Sequence, residues 1–256
     1  MKLTKILLII LMILFIIYVS VVKHKNSLSL REDFMEYKPN YVFWTGGYDS
    51  TFRICELLII YKVPVQPIYL AYNLDSAKDT DFWVRKNRKQ EKNAMDKIKK
   101  ALFKKFPFTK NLLYNTIFIK ENNNHDRYDK AFKELNLWPK KRRIHQYSHL
   151  GKISYMMKTY IDIGVLGIHQ RKSFVRFLHE NLTKEEGNYK LDLNTQHPLH
   201  YLKFPLFKKT KKMLCQISKK YFFGNILQLS WSCWFPNKNG STCGKCPMCI
   251  ERFNCN

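Results

Sequence analysis

Acidic residues are scarce in this sequence. Only 20 of its 256 residues are Asp or Glu, against 45 Lys or Arg, which leaves a formal charge of +25. This balance favours phosphates, nucleic acid or an anionic membrane face as partners, although a lysine-rich solvated surface would give the same count. The sequence also lacks an internal repeat, which excludes a repeat architecture.

Two common nucleotide-binding loops are missing as well. No Gly-Lys-Ser/Thr sequence occurs, which excludes a Walker A loop, and no G-x-G-x-x-G occurs, which excludes the dinucleotide-binding fingerprint. The 7 cysteines are odd in number and cluster near the C-terminus, whereas a disulfide framework is usually even and spread along a small chain. Tight C-x2-C spacing is instead typical of metal ligands that stay reduced on the cytosolic or nuclear side.

One long apolar run is present, ILLIILMILFIIYVSVV at residues 6–22, with lysines on both sides. At about 1.5 Å per residue it spans a bilayer core of about 30 Å only if its flanks extend to the headgroups. A cleaved signal peptide is the alternative, but no clear small-residue cleavage site follows. We therefore predict a membrane anchor or signal segment over residues 1–25 and a linker over 26–40.

Strand-like and helix-like segments alternate through the remaining chain. Apolar runs typical of strands cover residues 41–45, 65–72, 112–120, 163–169 and 225–230. Patterns typical of helices cover residues 51–61, 79–106, 148–162, 171–181 and 207–222. The alternation predicts an α/β domain over 41–230, with a Rossmann-like parallel sheet and helices on both faces. The polar segment 121–143 breaks the rhythm and is predicted as a surface insertion.

The loop TGGYDST, residues 45–51, joins the first predicted strand to the first helix. Its two glycines let the backbone approach a phosphate, and the helix start adds N–H donors. The hydroxyls of Ser50 and Thr51 could donate to phosphate oxygens or cap the helix, and Asp49 could hold Mg²⁺. The alternative is an ordinary tight turn before a capped helix.

This loop resembles the S-G-G-x-D-S-[ST] loop of the PP-loop ATP pyrophosphatases. Those enzymes split ATP into AMP and pyrophosphate and adenylate an oxygen of their substrate. Thr45 stands at the first serine of the pattern and keeps the hydroxyl, and Tyr48 fills the variable position. The resemblance implies catalytic roles for Asp49 and Ser50. It implies ATP binding, with Mg²⁺, at Thr45, Gly46, Gly47, Tyr48, Asp49, Ser50 and Thr51.

The C-terminal tail, residues 231–256, contains a C-x9-C-x2-C-x2-C pattern. Its members are Cys233, Cys243, Cys246 and Cys249. Closely spaced thiolates close tetrahedrally on Zn²⁺, and a four-cysteine site leaves no open position, so its role would be structural. Unligated buried thiols are the alternative. Cys55 and Cys215 are predicted to be core residues rather than ligands.

The tail is similar to the C-terminal zinc knuckle of 7-cyano-7-deazaguanine synthase, a PP-loop enzyme family of the queuosine pathway. That family ends in a Ser-Cys pair, then C-G-x-C-x-x-C and a basic residue, which is Arg252 here. Residues 204–214 and 85–95 are similar to other helix starts of the family. The resemblance implies an ATP-dependent C–N ligase, in which a nitrogen nucleophile displaces AMP from an adenylated oxygen.

The sequence departs from that family at residues 167–177, GIHQRKSFVRF, where an Asp-Tyr-Ser-Gly-Tyr-Pro-Asp-Cys-Arg stretch helps to hold the substrate. The predicted acceptor is therefore an unidentified small molecule or nucleobase. Arg171 and Lys172 are candidates for neutralising charge that develops during catalysis, or are plain solvated charges. His169 is a candidate for lining the site.

Two other functions fit the sequence. One is a zinc-stabilised nucleic-acid-binding protein of the tRNA-binding type, and the other is an inactive PP-loop scaffold at a membrane. Under the enzyme hypothesis the part after residue 25 would face the cytosol, because it needs ATP and reduced thiols.

Overall fold

The computed structural model describes residues 18, 20, 38–71, 87–120, 146–167, 173–185, 188–193, 195 and 197–250. The chain divides into two units, Met1–Lys38 and Pro39–Asn256. Apart from Tyr18 and Ser20, the predicted membrane segment lies outside the described residues, as does the predicted insertion at 121–143. Within the described ranges, no helix has the length and apolar character needed to cross a bilayer.

In the described part of the chain, seven strands form one sheet. Their bounds are β1 Asn40–Phe43, β2 Val65–Ala71, β3 Ile117–Lys120, β4 Ile161–Asp162, β5 Leu182–Glu185, β6 Asn188–Leu191 and β7 Leu202–Lys203. The order across the sheet is β3-β2-β1-β4-β7-β6-β5. From β3 to β7 the neighbours pair in parallel, and β6 pairs antiparallel with both β7 and β5.

The described helices connect these strands or follow the last one. Their bounds are α1 Tyr48–Cys55, α2 Arg88–Lys105, α3 Gln146–Met157, α4 Ser173–Asn181, α5 Lys211–Lys220, α6 Gly224–Leu227 and α7 Pro247–Ile250. α1 continues as a π-helical segment over Glu56–Tyr61, and the left-handed Lys62 (φ 54°) ends it. The side-chain oxygen of Thr210 caps α5 by accepting from the backbone N–H of Met213 at 3.2 Å.

The sheet has an apolar core on each face. Successive strand residues point to opposite faces, so Val42 of β1 packs with Phe52 of α1 and Ile98 of α2. The next residue, Phe43, belongs to the other cluster together with Leu178 of α4. A mostly parallel sheet covered by helices on both faces confirms the predicted fold class.

Two predicted strands are wrong. Residues 225–230 form α6 and a turn, and Ile226 and Leu227 are buried in the same core cluster as Phe52. A short apolar run fits a buried helix turn as well as a strand, so its pattern could not decide between them. The fourth strand lies at 161–162 instead of 163–169, because α3 ends at Met157 and the left-handed Lys158 (φ 46°) turns the chain earlier.

The antiparallel edge of the sheet was not predicted. The hairpin of β5 and β6 has mixed polar side chains, with Thr183 and Lys184 exposed, and so lacks the alternation that marks a half-buried strand. β7 is only two residues long. It is held between β4 and β6 by pairing that is distant in sequence, which no local pattern reveals.

Candidate nucleotide and metal site

The order of the strands reverses between β1 and β4. From β1 the chain builds outward through β2 and β3, whereas β4 pairs on the opposite side of β1. Open parallel sheets bind ligands at such a point, in the crevice beyond the carboxyl ends of the strands. The loop at residues 45–47 leaves the carboxyl end of β1, and Gly164 follows that of β4. The loop at residues 45–51, which we call the glycine loop, therefore lies where sheets of this kind bind ligands.

Gly46 has a conformation and surroundings that only glycine fits. Its φ is +69°, in the left-handed region that side chains rarely adopt. A Cβ atom there would lie 2.9 Å from the backbone oxygen of Glu91 and 3.1 Å from Cγ of Met95. The loop backbone therefore packs directly against α2.

Gly47 starts the helix that follows the loop. Its carbonyl accepts a hydrogen bond from the backbone N–H of Thr51 at 2.9 Å and from the Ser50 hydroxyl at 3.3 Å. The first turn of a helix offers N–H groups and the positive end of the helix dipole, an arrangement that favours anions. A Cβ on Gly164 would lie 2.8 Å from the Ser50 nitrogen, so the backbone after β4 closes against this turn.

The side chains of the loop divide between core and rim. Thr51 is fully buried, and its hydroxyl accepts a hydrogen bond from the indole N–H of Trp44 at 3.0 Å. Tyr48 is also buried, and burial together with the charge of Asp49 raises the pKa of its phenol to about 12. Asp49 and Ser50 are half-buried at the rim. The other predicted site residues, His169, Arg171 and Lys172, lie outside the described residues.

The four cysteines of the C-terminal pattern lie together, as predicted, and we call them the knuckle cluster. Their sulfur atoms all lie within 4.8 Å of one another. The Sγ atom of Cys249 is 3.9 Å from that of Cys243 and 3.5 Å from that of Cys246. Four thiolates around one zinc ion, each at about 2.3 Å, would be about 3.8 Å apart. The donor set therefore fits a single tetrahedral metal ion.

Backbone N–H groups support the thiolate form within the knuckle cluster. The N–H of Cys243 donates to Sγ of Cys233, and the N–H of Cys246 donates to Sγ of Cys243, both at 3.3 Å. A hydrogen bond from the Lys245 backbone lowers the pKa of Cys243 to about 6. Burial raises the pKa of Cys249 to about 12, so a cation is needed to deprotonate the whole set.

The two cysteines predicted to be core residues are both buried. Cys55 is a free thiol on α1.

Hydrogen bonds connect the knuckle cluster to the glycine loop. The backbone N–H of Trp231 donates to the carbonyl of Gly46 at 2.9 Å. The carbonyl of Cys233 accepts from the Trp231 indole N–H at 2.7 Å and from Nδ2 of Asn87 at 2.9 Å. Residues 46, 87 and 233 are far apart in the chain, so no local sequence pattern indicates these contacts.

A buried ionic network joins α1 to β4 beneath the loop. Arg53 donates from Nε to Asp162 at 2.8 Å and from a terminal nitrogen to Glu56 at 2.7 Å. Lys209 donates to the other oxygen of Glu56 at 2.8 Å. Burial lowers the pKa of Arg53, but the charges of Asp162 and Glu56 outweigh this effect and raise it. Only the Arg53–Glu56 spacing on one helix could have suggested part of this network.

Several polar atoms are buried at the start of α2. Among the residues that the structure describes, Asn87 Oδ1, Arg88 Nε and Gln90 Oε1 have no hydrogen-bond partner. Buried polar groups of this kind cost about 1–3 kcal/mol each unless a ligand or water satisfies them. They precede Glu91, which contacts Gly46, so this edge of the site can accept a polar ligand group.

Comparison with known protein families gives a match to the C-terminal part of the chain. Residues 170–255 match the family described as Queuosine biosynthesis protein QueC. This range includes the knuckle cluster, and the match confirms the resemblance to the queuosine-pathway PP-loop family. No curated protein matches the chain.

Comparison with solved structures gives a distant match. The U34-tRNA thiolase NcsA from Methanococcus maripaludis, solved with its [4Fe-4S] cluster, is 13% identical, with a TM-score of 0.38. The match covers 82% of this chain and 62% of that one, so the chain spans less than two thirds of the thiolase. Similarity at this level carries no information on substrate or metal.

Proposed function

We propose that this chain, similar to the QueC family over residues 170–255, is a PP-loop ATP-dependent synthase. It would bind ATP at the glycine loop, adenylate an oxygen of an acceptor and release pyrophosphate. A nitrogen nucleophile would then displace AMP. One observation carries the proposal: the glycine loop opens α1 at the reversal point of the sheet and is hydrogen-bonded to the tail that matches the family.

The loop supplies most of the proposed phosphate contacts from its backbone. The N–H groups at the start of α1 would hold the phosphates, and the Ser50 hydroxyl would donate from the rim. Asp49, also at the rim, would hold Mg²⁺ or orient the loop. Thr51 already bonds Trp44 inside the core, so we assign it to the helix start rather than to the phosphates. Arg171 and Lys172 remain the proposed cations for the α-phosphate.

We propose that the knuckle cluster holds one Zn²⁺ with a structural role. The spacing of the sulfur atoms supports a single ion. In a [4Fe-4S] cluster each thiolate binds a different iron, which holds the sulfurs further apart. With four cysteine ligands the ion would have no open position for substrate, so it would stabilise the fold rather than take part in the reaction.

The experiment that tests the proposed activity is product analysis with α-labelled ATP. The full chain would be incubated with ATP, Mg²⁺, ammonium and a panel of carboxylic acids, with heteroaromatic acids included. We expect AMP and pyrophosphate that depend on one acceptor class. Formation of ADP, or AMP release that no acceptor stimulates, would contradict the proposal.

Nucleic-acid binding is a second candidate, and the surface of α2 favours it. Its exposed side chains include Lys89, Lys92, Lys97, Lys100, Lys104 and Lys105. A row of lysines of this kind attracts a phosphate backbone and gives binding that weakens as salt rises. RNA binding with a steep salt dependence and no ATP turnover would favour this function over the synthase.

We propose that the segment at residues 6–22 anchors the chain, with the following part on the cytosolic side. The chain has a built-in reporter of its orientation, because the sequons at Asn181 and Asn239 are both exposed. In a eukaryotic host neither asparagine should be glycosylated. A glycosidase-sensitive mass shift at either asparagine would show the opposite orientation.

A further inference from the structure

We infer that Asn87 and Trp231 couple the knuckle cluster to the glycine loop, so that a metal ion bound by the cluster sets the geometry in which the loop binds ATP. The inference rests on the proposed function, but it assigns a role to residues that neither motif contains. Asn87 and Trp231 are positioning residues in this scheme. Both bond the carbonyl of Cys233, Trp231 also bonds the carbonyl of Gly46 in the loop, and Asn87 reaches the loop through Glu91.

The coupling begins at Cys233. Its side chain belongs to the knuckle cluster, and its carbonyl accepts two hydrogen bonds, from Trp231 Nε1 at 2.7 Å and from Asn87 Nδ2 at 2.9 Å. Both Cys233 and Asn87 are buried, at 0% and 2% exposure. A metal ion that fixes the Cys233 side chain therefore also fixes the backbone oxygen on which these two donors converge.

From there, two routes reach the same glycine. Trp231 uses its backbone N–H to bind the carbonyl of Gly46 at 2.9 Å. Asn87 uses Nδ2 to bind Glu91 Oε1 at 3.1 Å, and a Cβ built on Gly46 would lie only 2.9 Å from the backbone oxygen of Glu91. Gly46 thus lies between the backbone N–H of Trp231 and the backbone oxygen of Glu91, and the positions of both groups depend on Cys233.

Glu91 is held rigidly enough to transmit this constraint. Its carboxylate accepts from Asn87 on one oxygen and from the hydroxyl of Tyr69 on the other, at 2.7 Å. All three residues are buried, so a lost bond would leave a polar group without a partner in the core, where such groups are costly. The chain of contacts is continuous and short, so it offers a physical path between the two sites, and the experiment below tests whether this path couples them.

Coupling of this kind is reciprocal. If the bound metal raises affinity for ATP by some factor, bound ATP must raise affinity for the metal by the same factor. A metal that only stabilises the fold obeys the same equality, but it predicts that folded, zinc-loaded Asn87→Ala keeps the full affinity for ATP. Loss of the coupling in that variant therefore distinguishes positioning from plain stabilisation.

The experiment measures binding in the full chain rather than turnover. The affinity for a non-hydrolysable ATP analogue is measured with zinc bound and after chelation, on protein whose circular dichroism shows that it is still folded. The zinc affinity is measured with and without the analogue. We expect an effect of about tenfold in both directions in the unchanged chain. In Asn87→Ala the zinc content should be unchanged, while the analogue binds about as weakly as it does to the chelated protein.

Two further variants complete the test. Trp231→Phe keeps an aromatic ring and removes only the indole donor to Cys233, so it covers the case in which Asn87→Ala does not fold, and a smaller loss of affinity is expected. Asn237→Ala is the matched control. Asn237 bonds Ser241 and the backbone of Thr242 within the tail and touches neither the loop nor Cys233 in these bonds, so ATP affinity should not change.

The possible failures are distinguishable. If the zinc-loaded unchanged chain does not bind the analogue, the proposed function is overturned and this inference with it. If it binds the analogue but chelation, Asn87→Ala and Trp231→Phe leave the affinity unchanged, only the inference is overturned. An Asn237→Ala variant as weak as Asn87→Ala would also overturn it, because the effect would then be general to the tail.

Discussion

The glycine loop and the C-terminal tail each contain a glycine in the left-handed conformation, but for different reasons. Gly46 in the loop has φ +69°, and Gly240 in the tail has φ +82°. A Cβ on Gly46 would lie 2.9 Å from a backbone oxygen, whereas on Gly240 the nearest atom would be the end of the Gln90 side chain, at 3.8 Å. The loop glycine is determined by tertiary packing, and the tail glycine by a local turn.

The two regions also bind in different ways. The loop would hold phosphates mainly through N–H groups that the fold must position, with side chains at the rim. The knuckle cluster would hold a metal through four side chains that lie close together in the sequence, and metal binding itself supplies folding free energy. We therefore expect the loop to be sensitive to changes in distant residues, and the knuckle cluster to changes in its ligands.

Loss of one metal ligand should have the largest effect. Cys246→Ser should remove the metal and leave the tail without binding free energy, on the order of 10 kcal/mol in small metal-dependent domains. We expect little soluble protein and no zinc in it by elemental analysis. Cys55→Ala is the matched control, because Cys55 is a buried free cysteine outside the cluster. This variant should keep its zinc. Stoichiometric zinc in Cys246→Ser would contradict the four-cysteine site.

Disruption of the ionic network beneath the loop should be the next largest effect. Asp162→Asn would leave the buried Arg53 with half of its charge partners, and removal of one member of a buried pair typically costs about 3–5 kcal/mol. The free energy of unfolding, measured by urea denaturation, should fall while the zinc content stays the same. Asp192→Asn changes an exposed aspartate and should stay within about 0.5 kcal/mol. Equal effects of the two variants would show that the network does not stabilise the fold.

The rim side chains of the loop should affect the reaction rather than the fold. Asp49→Asn and Ser50→Ala should each lower AMP formation about 100- to 1,000-fold, because they remove a preorganised contact to developing charge. ATP should still bind through the backbone N–H groups. If these residues only cap α1, the variants should cost about 1 kcal/mol of stability and leave turnover unchanged. The measurements are AMP release from labelled ATP and the melting temperatures of both variants.

The loop depends on residues that are distant in the chain, whereas the knuckle cluster depends on residues that are close together. This difference explains how well each region could be predicted from the sequence. The knuckle cluster was predicted residue by residue, because spacing along the chain already constrains where four thiolates can meet. The alternation of segments was enough for the α/β fold and for the position of the glycine loop. It did not reveal the Asp162–Arg53 pair, which joins residues 109 positions apart, nor the contact of Trp231 with Gly46. Local patterns carry no information about partners that only the folded sheet brings together.

The smallest expected effects come from a direct comparison of two left-handed glycines, Gly46 and Gly240. Gly240→Ala introduces a side chain at positive φ with no close contact, so only the conformational cost of about 1–2 kcal/mol applies. Gly46→Ala has that cost and also places a Cβ against a backbone oxygen that cannot move aside as a flexible side chain can.

The difference between these two losses isolates the contact between the loop and α2. We expect Gly46→Ala to be less stable than Gly240→Ala and to bind the ATP analogue more weakly, since the loop must shift away from Glu91 to make room. Gly240→Ala should bind the analogue normally. Urea denaturation gives the stabilities and titration gives the affinities. If both variants lose the same stability and keep the same affinity, the loop tolerates a shift at Gly46, and its close packing on α2 does not determine how the phosphates are held.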